Sequence, residues 1–230
     1  MITFLNFFIK KIKGESYQLD SRIPLNYLIH LVLTRVIMLF RGILLFPFKK
    51  IIFIGGRTKV KCRTKIKFGK GTSISENCYL DGMSTEGIIL GNNVSVGRNT
   101  TIECSGSLKN IGKGLLVGNN VGLGTHGFFG CAGGIEIGNH TIFGNYVSLH
   151  SENHNYSNLS IPIREQGVNR QGILIGEDCW IGAKVTILDG VTVEQGCIIA
   201  AGSLLNKGTY AKNGIYGGVP AKLLKLRTEA

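Results

Sequence analysis

The chain has 230 residues, 43% hydrophobic and 17% charged, so it is long enough to bury a full core and too apolar to be disordered. Its formal charge is +12, yet residues 1–70 hold 15 Lys/Arg against 2 Asp/Glu, while the rest hold 11 against 12. The basic third lacks the aromatic interleaving of a stacking surface and any reader motif, which sets nucleic acid aside as a partner.

Residues 1–53 carry no repeat and read as an apolar, basic helical extension. Residues 1–13 place apolar residues before lysines, the reverse of a secretory signal. Residues 25–48 are very apolar but interrupted by Arg35 and Arg41, so no uncharged run reaches the ~18 residues expected of a spanning helix. Asn26, His30, Thr34 and Arg41 share one narrow helical stripe, and Pro47 should end the helix. Two compatible roles are expected. The helix caps the end of the following domain, or it lies on the inner leaflet of the cytoplasmic membrane. In the second role Lys10, Lys11, Lys13, Lys49, Lys50, Arg57, Lys59, Lys61, Arg63, Lys65 and Lys67 sit near anionic headgroups.

Residues 54–210 keep a period of six. Ile175, Ile181, Ile187, Val193, Ile199 and Leu205 recur without a break. Four residues after each come Cys179, Val185, Val191, Cys197, Ser203 and Thr209, all small or β-branched. The register runs backwards through Ile137, Phe143 and Leu149; Ile111, Val117, Leu123 and Phe129; Leu90, Val96 and Ile102; and Cys62, Phe68, Ile74 and Leu80. A strict six suits neither a helix nor a plain strand. It suits short strands joined by tight corners in an all-β solenoid whose coils stack their inward side chains. Runs such as Gly91-Asn92-Asn93 and Gly118-Asn119-Asn120 fit corners with positive φ. Breaks fall at residues 81–87, 104–110, 131–134 and 150–172, where loops should leave the stack, and residues 211–230 form a short tail. Cys78, Cys179 and Cys197 fall on the small inward site and Cys62 on the large one, with no CxxC pair. They read as buried free thiols in a reducing, cytoplasmic compartment.

The longest break, residues 150–172, holds His150 and His154, two of the five histidines. A polar loop histidine suits general-base removal of a hydroxyl proton; the plainer reading is a solvated loop residue. No GxSxG elbow exists and the loop has no cysteine, so direct transfer is favoured over a covalent enzyme intermediate. Trp180 sits outward, just before Ile181, and should cover a loop, a neighbouring subunit or a ligand. Lys207, Lys222 and Lys225 are suited to phosphate groups, or are ordinary surface lysines.

Residues 180–188 (WIGAKVTIL), 200–203 (AAGS) and 217–222 (GGVPAK) closely resemble hexapeptide-repeat acyltransferases. The loop residues His150, His154, Asn155, Tyr156, Pro162, Gln166 and Gly167 resemble the branch holding maltose and galactoside O-acetyltransferases and polysaccharide or lipopolysaccharide O-acetyltransferases. The resemblance is strong over residues 115–226. It implies a left-handed parallel β-helix, a homotrimer with sites between subunits, and acetyl-CoA as co-substrate with no metal. It implies His154, not His150, as catalytic base, with Asn153, Tyr156 and Trp180 on the substrate side. Ala183 and Ala201 would meet the pantetheine arm, and Lys207 and Lys222 the CoA nucleotide. Ala200 stands where glycine is usual, and Asn206 where threonine is usual. The expected activity is acetyl transfer to a sugar hydroxyl, in a cell-surface polysaccharide or its lipid-linked precursor. Two rivals share the fold: a γ-class carbonic-anhydrase-like metal enzyme using His126, His150 and His154, and a non-catalytic scaffold.

Overall fold

The computed structural model describes residues 19–47 and 51–229. The expectations placed on residues 1–13 and on Lys49 and Lys50 lie outside them. Packing divides the chain into Met1–Ile37 and Met38–Ala230, with one helix running across the division. That helix, α1, spans Leu25–Leu45 and stops two residues before Pro47. It is long and apolar enough to cross a bilayer by length and composition. No uncharged run in it reaches ~18 residues, but two arginines in 21 residues leave the average strongly apolar.

The larger unit is a coil with three parallel faces. The first face stacks Phe53–Ile54, Ser73–Ile74, Ser95–Val96, Gly122–Leu123, Ile142–Phe143, Trp180–Ile181, Ile198–Ile199 and Gly214–Gly218. Ala221–Leu226 then closes this face antiparallel, so the segment expected as a tail adds a strand. The second face runs from Lys59–Lys61 through Tyr79–Asp81, Thr101–Glu103, Phe128–Gly130, Ser148–His150 and Thr186–Leu188 to Leu204–Leu205. The third runs from Ile66–Phe68 through Ser84–Leu90, Gly112–Val117, Ile135–Ile137, Ile173–Ile175 and Val191–Val193 to Gly208–Tyr210.

The period of six is one short strand plus one corner, and each corner needs a left-handed residue. These residues stack in columns. Between the first and second faces stand Arg57, Asn77, Asn99, His126, Tyr146, Lys184 and Gly202, all with positive φ. Between the third and first stand Gly71, Asn93, Asn120, His140, Asp178, Gly196 and Asn213. At the entry to the third face the first coil turns at Cys62, and every later coil has glycine: Gly87, Gly114, Gly134, Gly172, Gly190 and Gly208. Asparagines also tie coil to coil. Asn92 Oδ1 accepts from the Lys70 N–H at 2.8 Å, and Asn119 Oδ1 from that of Asn92 at 2.8 Å. Asn139 Oδ1 accepts in turn from the Asn119 N–H at 2.7 Å.

Inside, Ile74, Leu80, Val96, Ile102, Leu149, Ile175, Ile181, Ile187, Val193, Ile199 and Leu205 form one continuous core. Each fully buried aliphatic side chain contributes roughly 1.5–3 kcal/mol. Three inward assignments fail, those of Cys62, Ile111 and Thr209, while Phe68 keeps its inward register opposite Leu90. Cys62 turns left-handed (φ 50) ahead of a 3₁₀ turn and is only half-buried, leaving Ile66 as the core residue. Ile111 lies in the 104–111 loop and is exposed. Thr209 faces outward because Gly208–Tyr210 seats Tyr210 in the core, its ring edge meeting Tyr216 at 5.0 Å. The break expected at residues 81–87 is largely strand, since Ser84–Leu90 pairs onward through a shift at Gly87.

Candidate active site

The longest break forms an arm rooted at the corner between the second and third faces. It leaves after Ser148–His150 and returns to Ile173–Ile175. At its base a two-stranded antiparallel hairpin pairs Asn153 with Asn169 and His154 with Val168. Further out the chain folds around Gln166. The Gln166 Nε2 donates to the carbonyls of Asn158 (2.7 Å) and Ile161 (3.0 Å), and its Oε1 accepts from the Asn158 N–H at 3.0 Å.

Both roots are fastened by buried polar groups. Ser151 Oγ donates to the Gly130 carbonyl at 2.7 Å and accepts from the Gly133 N–H at 2.9 Å. Asp189 is buried and accepts from the N–H groups of Gln171 (3.0 Å) and Gly172 (2.8 Å). Arg170 braces the outer side. Its Nε meets Glu152 Oε2 at 2.6 Å, and its other nitrogens donate to the carbonyls of Ile111 (3.2 Å) and Asn110 (3.0 Å). Arg170 thus joins both arm strands to the 104–111 loop. Between that loop and the arm opens a recess of about 620 Å³, lined by Lys109, Asn110, Asn155, Gln166 and Arg170 among others.

The structure gives His150 and His154 different settings. His150 ends a coil strand, its ring 5.4 Å from that of Phe128, and burial pushes its pKa below the ordinary imidazole value. His154 is exposed on the arm, flanked by exposed Asn153 and followed by Tyr156, which is 72% exposed. A two-residue strand in an arm is what throws one imidazole clear of the stack.

The other expected site residues fall into two separate groups. Trp180 is on the first face, 52% exposed, in an outward row with Ile142, Ile198 and Ile215. Ala183 and Ala201 occupy the adjoining corner on consecutive coils; a Cβ added at Gly182 would come within 2.6 Å of the Ala201 nitrogen, so the backbones stack closely there. Ala200 can replace the glycine usual in this stack because only Gly217 lies beyond it. Lys222 pairs with Gly217 on the same face. Lys207, by contrast, lies at the second–third corner, its stem alongside Gly190. That corner is also the root of the arm, and it bears a groove of about 290 Å³ lined by Gly133, Gly134, Gly172 and Gly190 among others. In a three-sided coil the second–third corner lies opposite the first face. One chain therefore holds His154 and Lys207 at one side, and Trp180, Ala183, Ala201 and Lys222 at the other.

Ser151, Glu152, Arg170 and Asp189 were not among the expected residues. Glu152 and Arg170 each stand two residues inside an end of the 150–172 break, a symmetry legible once the break is taken as a hairpin. No group of three His, Cys, Asp or Glu able to hold a metal occurs among the described residues. His126 is instead built into its corner, stacked on Tyr146 at 4.6 Å with Nε2 2.8 Å from Asn99 Nδ2.

Residues 172–207 match the model described as bacterial transferase hexapeptide (six repeats), and residues 71–104 the hexapeptide repeat of succinyl-transferase. A Mycobacterium tuberculosis protein described as a probable acetyltransferase is 34% identical over 59 residues, which cover 26% of this chain and 20% of that protein. The match thus spans about a fifth of that relative's length. AntD, an N-acyltransferase from Bacillus cereus crystallised with dTDP and 3-hydroxybutyryl-CoA, superposes with a TM-score of 0.52 at 16% identity, over 76% of this chain and 79% of that one. A mutant of AntD with dTDP and coenzyme A gives 0.53 at 16% identity, over 77% and 81%. Coil geometry, hexad spacing and these matches agree on the fold: the chain is a left-handed parallel β-helix, and its residues 71–104 and 172–207 carry repeats similar to those of hexapeptide transferases.

Proposed function

We propose that the protein is a cytoplasmic, homotrimeric O-acetyltransferase that moves an acetyl group from acetyl-CoA to a sugar hydroxyl of a cell-surface polysaccharide or its lipid-linked precursor. The observation that carries this is His154 on a braced arm, outside the coil and at the side opposite Trp180. The transferase repeat and the acetyltransferase relative support acyl transfer. AntD, with CoA and dTDP-4-amino-4,6-dideoxyglucose bound in one complex, is a related coil that takes a sugar nucleotide. Six free cysteines, five of them buried, support a reducing compartment.

Acetyl-CoA supplies the activated acyl group. His154 accepts the proton of the acceptor hydroxyl as its oxygen attacks the acyl carbon; the thioester C–S bond then breaks and the proton passes to the departing CoA sulfur. Trp180 covers the reacting groups, and a backbone N–H near it stabilises the developing negative charge. The open corner of Ala183 and Ala201 leaves room for an extended chain beside the coil, and Lys207 and Lys222 offer point charges to phosphates. Because the two groups of residues occupy opposite sides of one coil, a site using both is completed by a second copy.

His154→Ala should lower turnover by ~10²–10⁴ with fold and assembly unchanged. Turnover near that of the native protein would remove the assignment. Mass spectrometry of surface glycans with and without the gene tests the acceptor, the expected difference being loss of acetyl from the glycan repeat unit.

A further inference from the structure

We infer that the last turns of α1, residues 38–45, and the first coil together form a docking surface for an anionic lipid bilayer, on which the helix lies rather than crosses. The helix exposes Tyr27, Leu33, Ile37, Phe40, Ile43 and Leu44, among others, along its whole length. Scattered exposed apolar residues are ordinary, but a row of this extent is not left in water without a partner. The last turns of α1 belong to the larger unit: Arg63 Nη1 donates to the Leu45 carbonyl at 3.1 Å, and the rings of Phe46 and Phe68 meet edge-on at 4.9 Å. The helix therefore ends at the first coil, whose strands terminate all three faces.

That coil is also where positive charge collects. Residues 51–75 hold seven Lys/Arg and no Asp/Glu. Lys59, Lys65 and Lys67 are exposed, and none of the seven is in an ion pair among the described residues. Lys61 faces Asp81 and Glu103 on the next coils, so it is partly offset. Lysines on edge strands also discourage edge-to-edge pairing, but that role leaves the apolar helix unexplained. A second copy of the chain would bring the same cations against each other, and a nucleic acid would leave the helix wet. A bilayer surface matches both features, hydrocarbon for the helix and anionic headgroups for the coil. Arg35 decides the orientation. It stands at the midpoint of Leu25–Leu45, so crossing would carry a guanidinium to the bilayer centre, where charge is costly. Lying flat keeps it at headgroup depth, its stem among the acyl chains.

Co-sedimentation of the full-length protein with phosphatidylserine–phosphatidylcholine vesicles, against phosphatidylcholine alone, tests the surface. Binding to the anionic vesicles is expected. High salt should weaken it, as should the triple variant Lys59→Glu, Lys65→Glu, Lys67→Glu, by about tenfold or more. The double variant Ile37→Glu, Phe40→Glu should abolish it, and alkaline carbonate should release the native protein. Retention through carbonate would overturn the flat orientation, and equal binding to phosphatidylcholine alone would overturn the role of the cations. Absence of binding, or larger oligomers forming through the helix instead, would overturn the surface. The salt titration uses the native chain and stands even where a variant misfolds. Lipid binding is read without turnover, so its failure leaves the acyl-transfer reading intact.

Discussion

His150 and His154 stand four positions apart in the chain but in different settings. His150 is held against Phe128 at the end of a coil strand, and burial disfavours its charged form. A depressed folded pKa contributes stability that is fully present above the ordinary value of 6.5 and is lost as pH falls through the lowered one. Thermal melting should therefore fall on acidification just below about pH 6.5, and His150→Gln should flatten part of that dependence. An unchanged slope in the variant would show that other groups carry it. Thiols divide in the same way. Burial raises Cys179 to about 11, and Cys78, Cys131 and Cys197 are also pushed up by burial. None of these four is set to act as a nucleophile. Native-state alkylation followed by mass spectrometry should label Cys62, the half-buried one, well before the other five. Early labelling of Cys179 or Cys197 would mean that the coil opens locally.

At the scale of the element, the arm is ordered by few bonds and therefore depends on each. Arg170 has a partner in three segments, so Arg170→Ala should loosen the arm without disturbing the stacked coils. The expected result is turnover falling several-fold to about a hundredfold, with stability lowered by ~1–3 kcal/mol from unpaired polar groups. Protease cutting within residues 150–172 should become faster, and Arg170→Lys should restore little because a lysine cannot serve three acceptors in a fixed fork. Turnover unchanged beside increased cutting would separate the brace from the chemistry. Asp189 shows why such residues escape pattern reading. In the hexad it is one more small corner residue before a glycine, and only the returning backbone of Gln171 and Gly172 gives its carboxylate a purpose.

For the whole molecule, the decisive fact is that the two groups of candidate residues lie on opposite sides of a three-sided coil. If a second copy completes the site, chains carrying His154→Ala and chains carrying Trp180→Ala should complement each other. Co-expression should recover activity above that of either variant alone, because some interfaces then hold both native side chains. Activity no better than the individual variants would place both residues in one chain's site.

The repeat, the stacked coils, the corners with positive φ and the emergence of a loop at residues 150–172 were legible in the sequence, because each coil repeats the same local demand and hexads report it directly; the sectional shape of the coil was implied only by the family resemblance. The start and end of α1 were nearly so, since Pro47 bars continuation. The failures at Cys62, Ile111 and Thr209 all fall where a corner changes length, longer at Cys62 and Ile111 and one residue shorter before Thr209, and there a fixed period no longer says which side chain points inward. Tertiary structure alone decided which predicted residues come together. Trp180 and Ala183 share one side while Lys207 belongs with the arm, a division set by which of three corners each reaches. It also revealed the Glu152–Arg170 brace and set the last turns of α1 against the cationic first coil. Those relations join residues far apart in the chain, and no short-range pattern encodes them.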